Sequence, residues 1–460
     1  MRRVTHVVVE GLFGRVTHDI DIRPDAPTIL TAPNGAGKTH VLILLQASLA
    51  LDVKLMLGVP FQRIAVTLAD SAGIQVDRSV DEDGTPELRI QALKHGKSVG
   101  SPANVNHNDL ESVGERVPPY IRPLDSGRWL DIRADRVMTR EMVERRFKVR
   151  LRERPEDLFR NHAEILEVWS QAQPVLIDTK RLDAVYPPST SRYENEALRQ
   201  REGQVGAARI THYIDQLRAQ VTEARRSSIQ ETQSADLSFA ARALAAAGQT
   251  VQEGALHKRY DAIVDKYEDL ARNGLAVGEA PMEFPSKTTP TVRRILNVFL
   301  DDWEKRLEPL LPVNQKLNAL REILDTKLEH SGKKTGMSPR GELTFKTFNN
   351  RRIRVATLSS GEQHLVALFT MLLFSAAQGS LVLIDEPEIS LHAAWKHSFL
   401  EDISTVASLA DLQVVMATHS TAIVNGRWDL TEELEFPKFS EDERADSPID
   451  DELETDEILG

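Results

Sequence analysis

The chain has 460 residues, 41% apolar and 27% charged, which excludes a disordered or fibrous polypeptide and predicts one large domain with an insertion, or two domains. It contains no cysteine, so disulfide staples, thiolate metal sites and thiol nucleophiles are excluded. Of the net charge of -12, residues 431–460 hold 13 acidic and 2 basic side chains, leaving 55 basic against 56 acidic in a nearly neutral body, so the acidity says nothing against nucleic-acid binding by the folded part.

From the start, Val4 to Val9 and His18 to Ile22 read as two strands joined by the loop Glu10 to Arg15. Arg2 and Arg3 are not followed by an apolar signal core. The longest apolar stretch, Leu365 to Ala377, is too short to cross a bilayer. The expectation is a cytoplasmic protein with no membrane partner. A third strand, Thr28 to Thr31, runs through Ala32-Pro33-Asn34-Gly35-Ala36-Gly37-Lys38-Thr39-His40 into the helical pattern of Val41, Leu42, Leu44, Leu45 and Leu49.

That loop matches the P-loop, with Ala32 at its first glycine position. Glycines let successive backbone N–H groups of Asn34, Gly35, Ala36, Gly37, Lys38, Thr39 and His40 turn toward phosphate oxygens, and the following helix adds its positive end. Lys38 is expected to neutralise the β- and γ-phosphates and Thr39 to place its hydroxyl on Mg²⁺. A structural turn can share such a pattern, but the strand before and the helix after favour ATP.

Between about residues 136 and 330 the pattern becomes helical and highly charged, with runs at Ile210 to Thr232, Leu256 to Ala271 and Val292 to Lys327, and one strand at Pro174 to Leu182. The stretch Arg136 to Arg154 carries 8 basic and 3 acidic residues, a solvated helix face or a DNA contact. Ser331 to Gly336 is a loop signal, and Glu342 to Phe348 pairs with Arg352 to Ala356 around Asn349-Asn350. The expected organisation is an N-terminal ATPase lobe at 1–135, a helical insertion at 136–330, a C-terminal ATPase lobe at 331–430 and a disordered acidic tail at 431–460.

Three motifs lie in the C-terminal lobe. Leu358-Ser359-Ser360-Gly361-Glu362-Gln363 precedes the helical run from His364 and reads on its own as an N-cap. Leu381 to Ile384 is an apolar run ending in Asp385 and Glu386, a buried strand that delivers two carboxylates at its end. With a P-loop present, Asp385 is expected to hold the Mg²⁺ shell and Glu386 to polarise the attacking water. Gln413 to Ala417 is a second buried strand, ending in Thr418-His419-Ser420, where His419 is either structural or a γ-phosphate contact.

In this order the pieces resemble the ABC-type ATPases: Ser359, Ser360 and Gly361 match their signature, His419 their switch histidine and Ser390-Leu391-His392 the loop that couples two heads, while Gln62 is the one glutamine offered for Mg²⁺ sensing. The likeness spans residues 1–70 and 340–430 and implies an α/β ABC-type head, a P-loop NTPase with a mixed sheet core and a large helical insertion. It also implies ATP and Mg²⁺ as cofactors, and a homodimer or higher oligomer in which each P-loop faces the other subunit's signature.

Glu386-Pro387-Glu388-Ile389-Ser390-Leu391-His392 and Ala417-Thr418-His419-Ser420 look like the RecF, SMC and OLD-like branch rather than transporters, and Asn425 to Leu430 is similar to the AriA ATPase of PARIS anti-phage systems. Ala32, and Thr421 where that group commonly has Pro, depart from the pattern. The resemblance implies an ATP-dependent switch in anti-phage defence that answers a phage-encoded trigger and controls a separate Toprim-type nuclease. DNA repair by a recombination-type clamp and a transporter motor are the competing readings. No patterned carboxylate set follows residue 430, so any nuclease is expected on another chain.

Overall fold

The computed structural model describes residues 2–33, 35–80, 84–106, 118, 120–123, 129–131, 133–134, 136–147, 158–171, 174–178, 195–276, 283–285, 287–338, 341–389 and 391–434. Its centre is a five-stranded, all-parallel sheet in the order β11 (Pro174–Asp178), β15 (Leu381–Asp385), β16 (Gln413–Ala417), β3 (Thr28–Thr31) and β17 (Thr431–Glu433). β15 and β16 are buried along their whole length, as their unbroken apolar runs require. Val382, Ile384, Val414 and Met416 enter one hydrophobic core, and Leu381, Leu383, Val415 and Ala417 enter the other. The period of two thus assigns each strand to both layers at once.

On one face lies α1 (Lys38–Ala50), with Val41, Leu42, Leu44, Leu45 and Leu49 buried in the second core. That core continues into a six-stranded antiparallel sheet, ordered β2 (Val16–Asp21), β1 (Val4–Leu12), β4 (Arg63–Leu68), β5 (Ala72–Val80), β6 (Pro86–Lys94), β7 (Lys97–Asn106). The mixed core expected from the sequence is therefore divided between a parallel and an antiparallel sheet. Gln413 staples the two together: its Oε1 accepts from Val4 N–H (2.8 Å), and its Nε2 donates to the carbonyls of Val4 (2.6 Å) and Arg23 (3.1 Å). A buried amide with both ends satisfied fixes the sheets without leaving an orphan polar group.

The opposite face is covered by α9 (Ser360–Phe374) and α10 (Ala393–Ala410), and beyond them by the helical layer. That layer contains α5 (Asn195–Ala245), α6 (Glu253–Arg272), α7 (Pro290–Leu307) and α8 (Leu311–Leu328). α5 has 51 residues, about 75 Å at 1.5 Å per residue. The run expected from Val292 to Lys327 is broken at the 3₁₀ turn Glu308–Leu310, because Pro309 and Pro312 cannot donate to a preceding turn.

Three boundaries differ from the sequence expectation. The expected insertion takes in β11, α4 (Ala163–Gln171) and Phe159, yet β11 is an edge strand of the central sheet and Phe159, Ile165 and Val168 join the second core. The described helical layer begins at residue 195. β12 (Lys333–Met337) occupies the expected loop, pairing antiparallel with β13 (Leu343–Thr347), which in turn pairs with β14 (Arg352–Ile353). Gly332, at φ 70°, makes the turn that lets this strand follow a helix. At the end, Thr431 to Glu433 form β17 beside β3, and Leu434 is buried. The acidic residues 435–460 lie outside the described residues.

A small satellite stands apart. It combines β8 (Ile121–Pro123), β9 (Trp129–Asp131) and β10 (Arg136–Met138) with α3 (Arg140–Phe147) around Ile121, Met138 and Val143. Of the described helices, none is long and apolar enough to cross a membrane.

Candidate functional site

The loop after β3 enters α1 through Gly37, which caps the helix in the left-handed region at φ 89°. A Cβ there would lie 2.7 Å from Leu12 Cδ2 of the β1–β2 hairpin, whereas at Gly35, also at φ 89°, it would meet nothing within 4 Å. Gly37→Ala is therefore expected to destabilise the nucleotide-free protein, by roughly 1–2 kcal/mol for the backbone and more for the displaced Leu12, and so to lower its unfolding temperature. Gly35→Ala carries only the first cost. Equal losses in thermal unfolding would remove the argument that Leu12 sets the loop's position.

Ala36 is buried, and its carbonyl accepts a hydrogen bond from Nε2 of the buried His18 on β2 at 3.0 Å. Lys38, 6% exposed, folds its ammonium back onto the carbonyls of Ala32 (2.8 Å) and Pro33 (3.4 Å). Thr39 Oγ1 donates to Asp385 at 2.9 Å from Oδ2 and 3.2 Å from Oδ1, so the start of α1 and the end of β15 meet at this hydroxyl. His40 sets its ring against the edge of Phe13, 4.8 Å between centroids, and burial lowers its pKa. Asn34 lies outside the described residues.

Glu386 follows Asp385 at φ 45°, a conformation that non-glycine residues rarely adopt. Its N–H donates to the carbonyl of Ala417 at 2.9 Å. That bond joins the two strand ends and turns the chain out of the sheet directly after the buried Asp385. His419 leaves the end of β16 with its side chain 49% exposed and its Nδ1 3.1 Å from Glu388 Oε1. A Thr/Asp pair, a lysine, a second carboxylate and a histidine are thus brought to the ends of β3, β15 and β16, where parallel sheets gather ligands.

The serine turn is built differently. Ser359 caps α9, its hydroxyl accepting from Glu362 N–H (3.4 Å) while its own N–H donates to Glu362 Oε2 (2.8 Å), a reciprocal capping box. Ser359 and Ser360 are exposed and Gly361 is half-buried, so the first turn of the helix faces outward. The buried Glu362 is held further by Lys333 (2.6 and 2.9 Å) and Ser331 (2.7 Å).

Burial alone would raise Glu362, but bonds from Lys333, Ser331 and Ser359 outweigh it and hold the carboxyl below its ordinary value. A depressed carboxyl stabilises the fold fully above its unfolded pKa, about 4.3, and the contribution is lost as pH falls through the folded value. Unfolding temperature should accordingly drop more steeply with acid in the parent than in Glu362→Gln. Parallel curves below about pH 4.5 would contradict this.

Gln62 stands before β4, exposed, with its side chain over Gly11 and its N–H bonded to Glu10 O at 2.9 Å. Beside the carboxylate strand it is Asp178, at the end of β11, that pairs in register with Asp385. Sequence reading found that strand without its neighbour. His18 and Glu388 were also missed as supporting residues, and the one available signal was the position of Glu388 two residues past the acidic pair. His392 caps α10, its Nδ1 accepting from Ala394 N–H at 3.3 Å, while Ser390 is outside the described residues.

A family profile described as "AAA domain, putative AbiEii toxin, Type IV TA system" matches residues 28–425. Comparison with curated proteins finds no match. Among solved structures, the chain is similar to the Smc head domain with an extended coiled coil bound to the C-terminal domain of ScpA from Pyrococcus furiosus, at 14% identity over 92% of this chain and 91% of that one, with a TM-score of 0.32. It is also similar to the SMC head domain from Thermotoga maritima, at 10% identity over 94% and 92%, with a TM-score of 0.31.

Proposed function

Since the chain belongs to the family of AAA domains described as putative AbiEii toxin, Type IV TA system, we propose that it is an ABC-type ATPase that binds ATP with Mg²⁺ and hydrolyses it. The observation that carries this reading is the Thr39–Asp385 contact at 2.9 Å beside the buried Lys38. A hydroxyl and a carboxylate this close share one divalent cation readily, and Lys38 needs only to leave two carbonyls to reach a phosphate. Glu386 serves as the base that orients the attacking water, and His419 contacts the γ-phosphate. A bound Mg²⁺ would offset charge on the β- and γ-phosphates, and the loop N–H groups and Lys38 would orient them.

The output we propose is a switch. The outward-facing turn of Ser359, Ser360 and the half-buried Gly361 offers helix N–H groups to the γ-phosphate on a second copy, so ATP closes two heads in an isologous dimer and hydrolysis releases them. Higher homo-oligomers can be built on that dimer. The helical layer, where Leu237 and Leu244 stand 92% and 77% exposed on α5, supplies the surface on which the two states differ toward a partner.

In the anti-phage reading that partner is a Toprim-type nuclease, and a phage-encoded trigger sets the switch. Pull-downs with Lys38→Ala and Glu386→Gln as baits, followed by phage challenge with and without the captured gene, test it. No captured partner, with resistance from this chain alone, would overturn the separate-effector claim.

A second reading, a DNA-bound repair ATPase, is favoured by the satellite, where Arg133, Arg136, Arg145 and Arg146 are exposed. There Arg133 also lies over Tyr120 at 4.1 Å. Duplex binding that weakens steeply with salt and is lost when these arginines are replaced would support it.

A further inference from the structure

Glu388 is 6% exposed, yet its carboxylate serves neither the sheet nor the P-loop. One oxygen, Oε1, accepts from Thr418 Oγ1 at 2.8 Å and from His419 N–H at 3.2 Å, and lies 3.1 Å from His419 Nδ1. The other, Oε2, is buried without a hydrogen-bond partner among the described residues. Thr418 is itself fixed, its N–H donating to Leu30 O (3.1 Å) and its hydroxyl accepting from Ser420 N–H (3.0 Å). A buried carboxylate is costly unless its bonds are good, and here they all go to the turn that carries His419.

We propose that Glu388 is a positioning residue that fixes the ring of His419 with its proton on Nδ1, leaving Nε2 for the nucleotide. A carboxylate only accepts, so the short contact requires hydrogen on Nδ1. The tautomer of a histidine follows from the bond made by its other nitrogen. With Nδ1 engaged by a buried group and the ring half exposed, Nε2 is left for the ligand side. A ring with hydrogen on both nitrogens donates through Nδ1 to Glu388 and through Nε2 to a phosphate oxygen. Without Glu388 the ring is free to rotate, and Nε2 is no longer held toward the ligand side. The inference rests on the ATPase reading for its consequence, but its structural content stands by itself.

Two measurements on the full chain test it. Long-range proton–nitrogen correlation spectra of histidine-labelled protein, with His419 assigned from a His419→Gln sample, should give the Nδ1–H pattern in the parent and lose it in Glu388→Ala. An Nε2–H ring in the parent overturns the proposal and needs no variant to fold. Turnover in Glu388→Ala should fall by at least about tenfold with ATP affinity changed less than about twofold. Glu388→Gln, whose carbonyl can still accept from Nδ1–H, should recover part of both the signal and the rate. Unchanged turnover in Glu388→Ala also overturns it. Failure of the ATPase reading itself looks different: the parent then binds ATP no better than Lys38→Ala, whatever the ring's tautomer.

Discussion

Lys38→Ala is expected to lose ATP binding by at least about 100-fold, ~2.7 kcal/mol, whereas Glu386→Gln is expected to bind ATP like the parent and turn it over at least about 100-fold more slowly. The two variants separate because the two side chains act at different stages. The ammonium of Lys38, buried at the mouth of the loop and bonded to Ala32 and Pro33, is expected to offset phosphate charge in every bound state. Its removal should also leave those carbonyls short of a donor. Glu386, turned out of β15 by its left-handed backbone, is expected to bear on the water and not on the bound phosphates. Equilibrium binding of a fluorescent ATP analogue, read beside phosphate release, checks both. Parent-like turnover in Glu386→Gln would remove it as the base.

The second large effect is expected at Ser359. Arginine there places bulk and charge on an exposed turn and removes the hydroxyl that caps α9. Loss of such a cap costs about 1 kcal/mol, which the rest of the capping box and the Lys333–Glu362 pair leave tolerable. Folding and ATP binding to the single head should therefore persist, while ATP-dependent dimerisation and turnover fall to background. Light scattering with and without ATP, in a Glu386→Gln background that holds the dimer closed, reads the first effect directly. A dimer of normal stability in the Ser359→Arg form would detach the serine turn from the shared site.

Much of the site was legible because its signals are local. The P-loop announces itself by glycines at fixed spacing, and Gly37 shows why, since its φ and its contact with Leu12 exclude a side chain. Leu381 to Asp385 and Gln413 to Ala417 read as buried strands because apolar runs on both faces have few other uses. What was hidden depends on pairing between distant segments. β11 and β17 are edge strands whose neighbours are decided by the whole sheet, so neither the register of Asp178 with Asp385 nor the ordering of Thr431 to Glu433 has a local sign. The hairpins of the six-stranded sheet do carry a period of two, in Ile64, Val66 and Leu68 and in Leu88, Ile90 and Ala92, but say nothing of which sheet they join. In sequence, Glu388 is marked only by its place two residues past the acidic pair. Only the return of β16 beside β15 buries it against Thr418 and His419.

The central claim, that each ATP is held between the P-loop of one copy and the serine turn of another, is tested most directly by mixing two inactive proteins. Lys38→Ala keeps an intact serine turn and Ser359→Arg an intact P-loop, so a mixed dimer contains one complete site and one doubly defective site. Turnover is predicted to reappear on mixing, up to about one quarter of the parent rate when subunits exchange freely in an isologous dimer. If the mixture stays as inactive as its components while subunit exchange is demonstrated, the site is not shared between two copies.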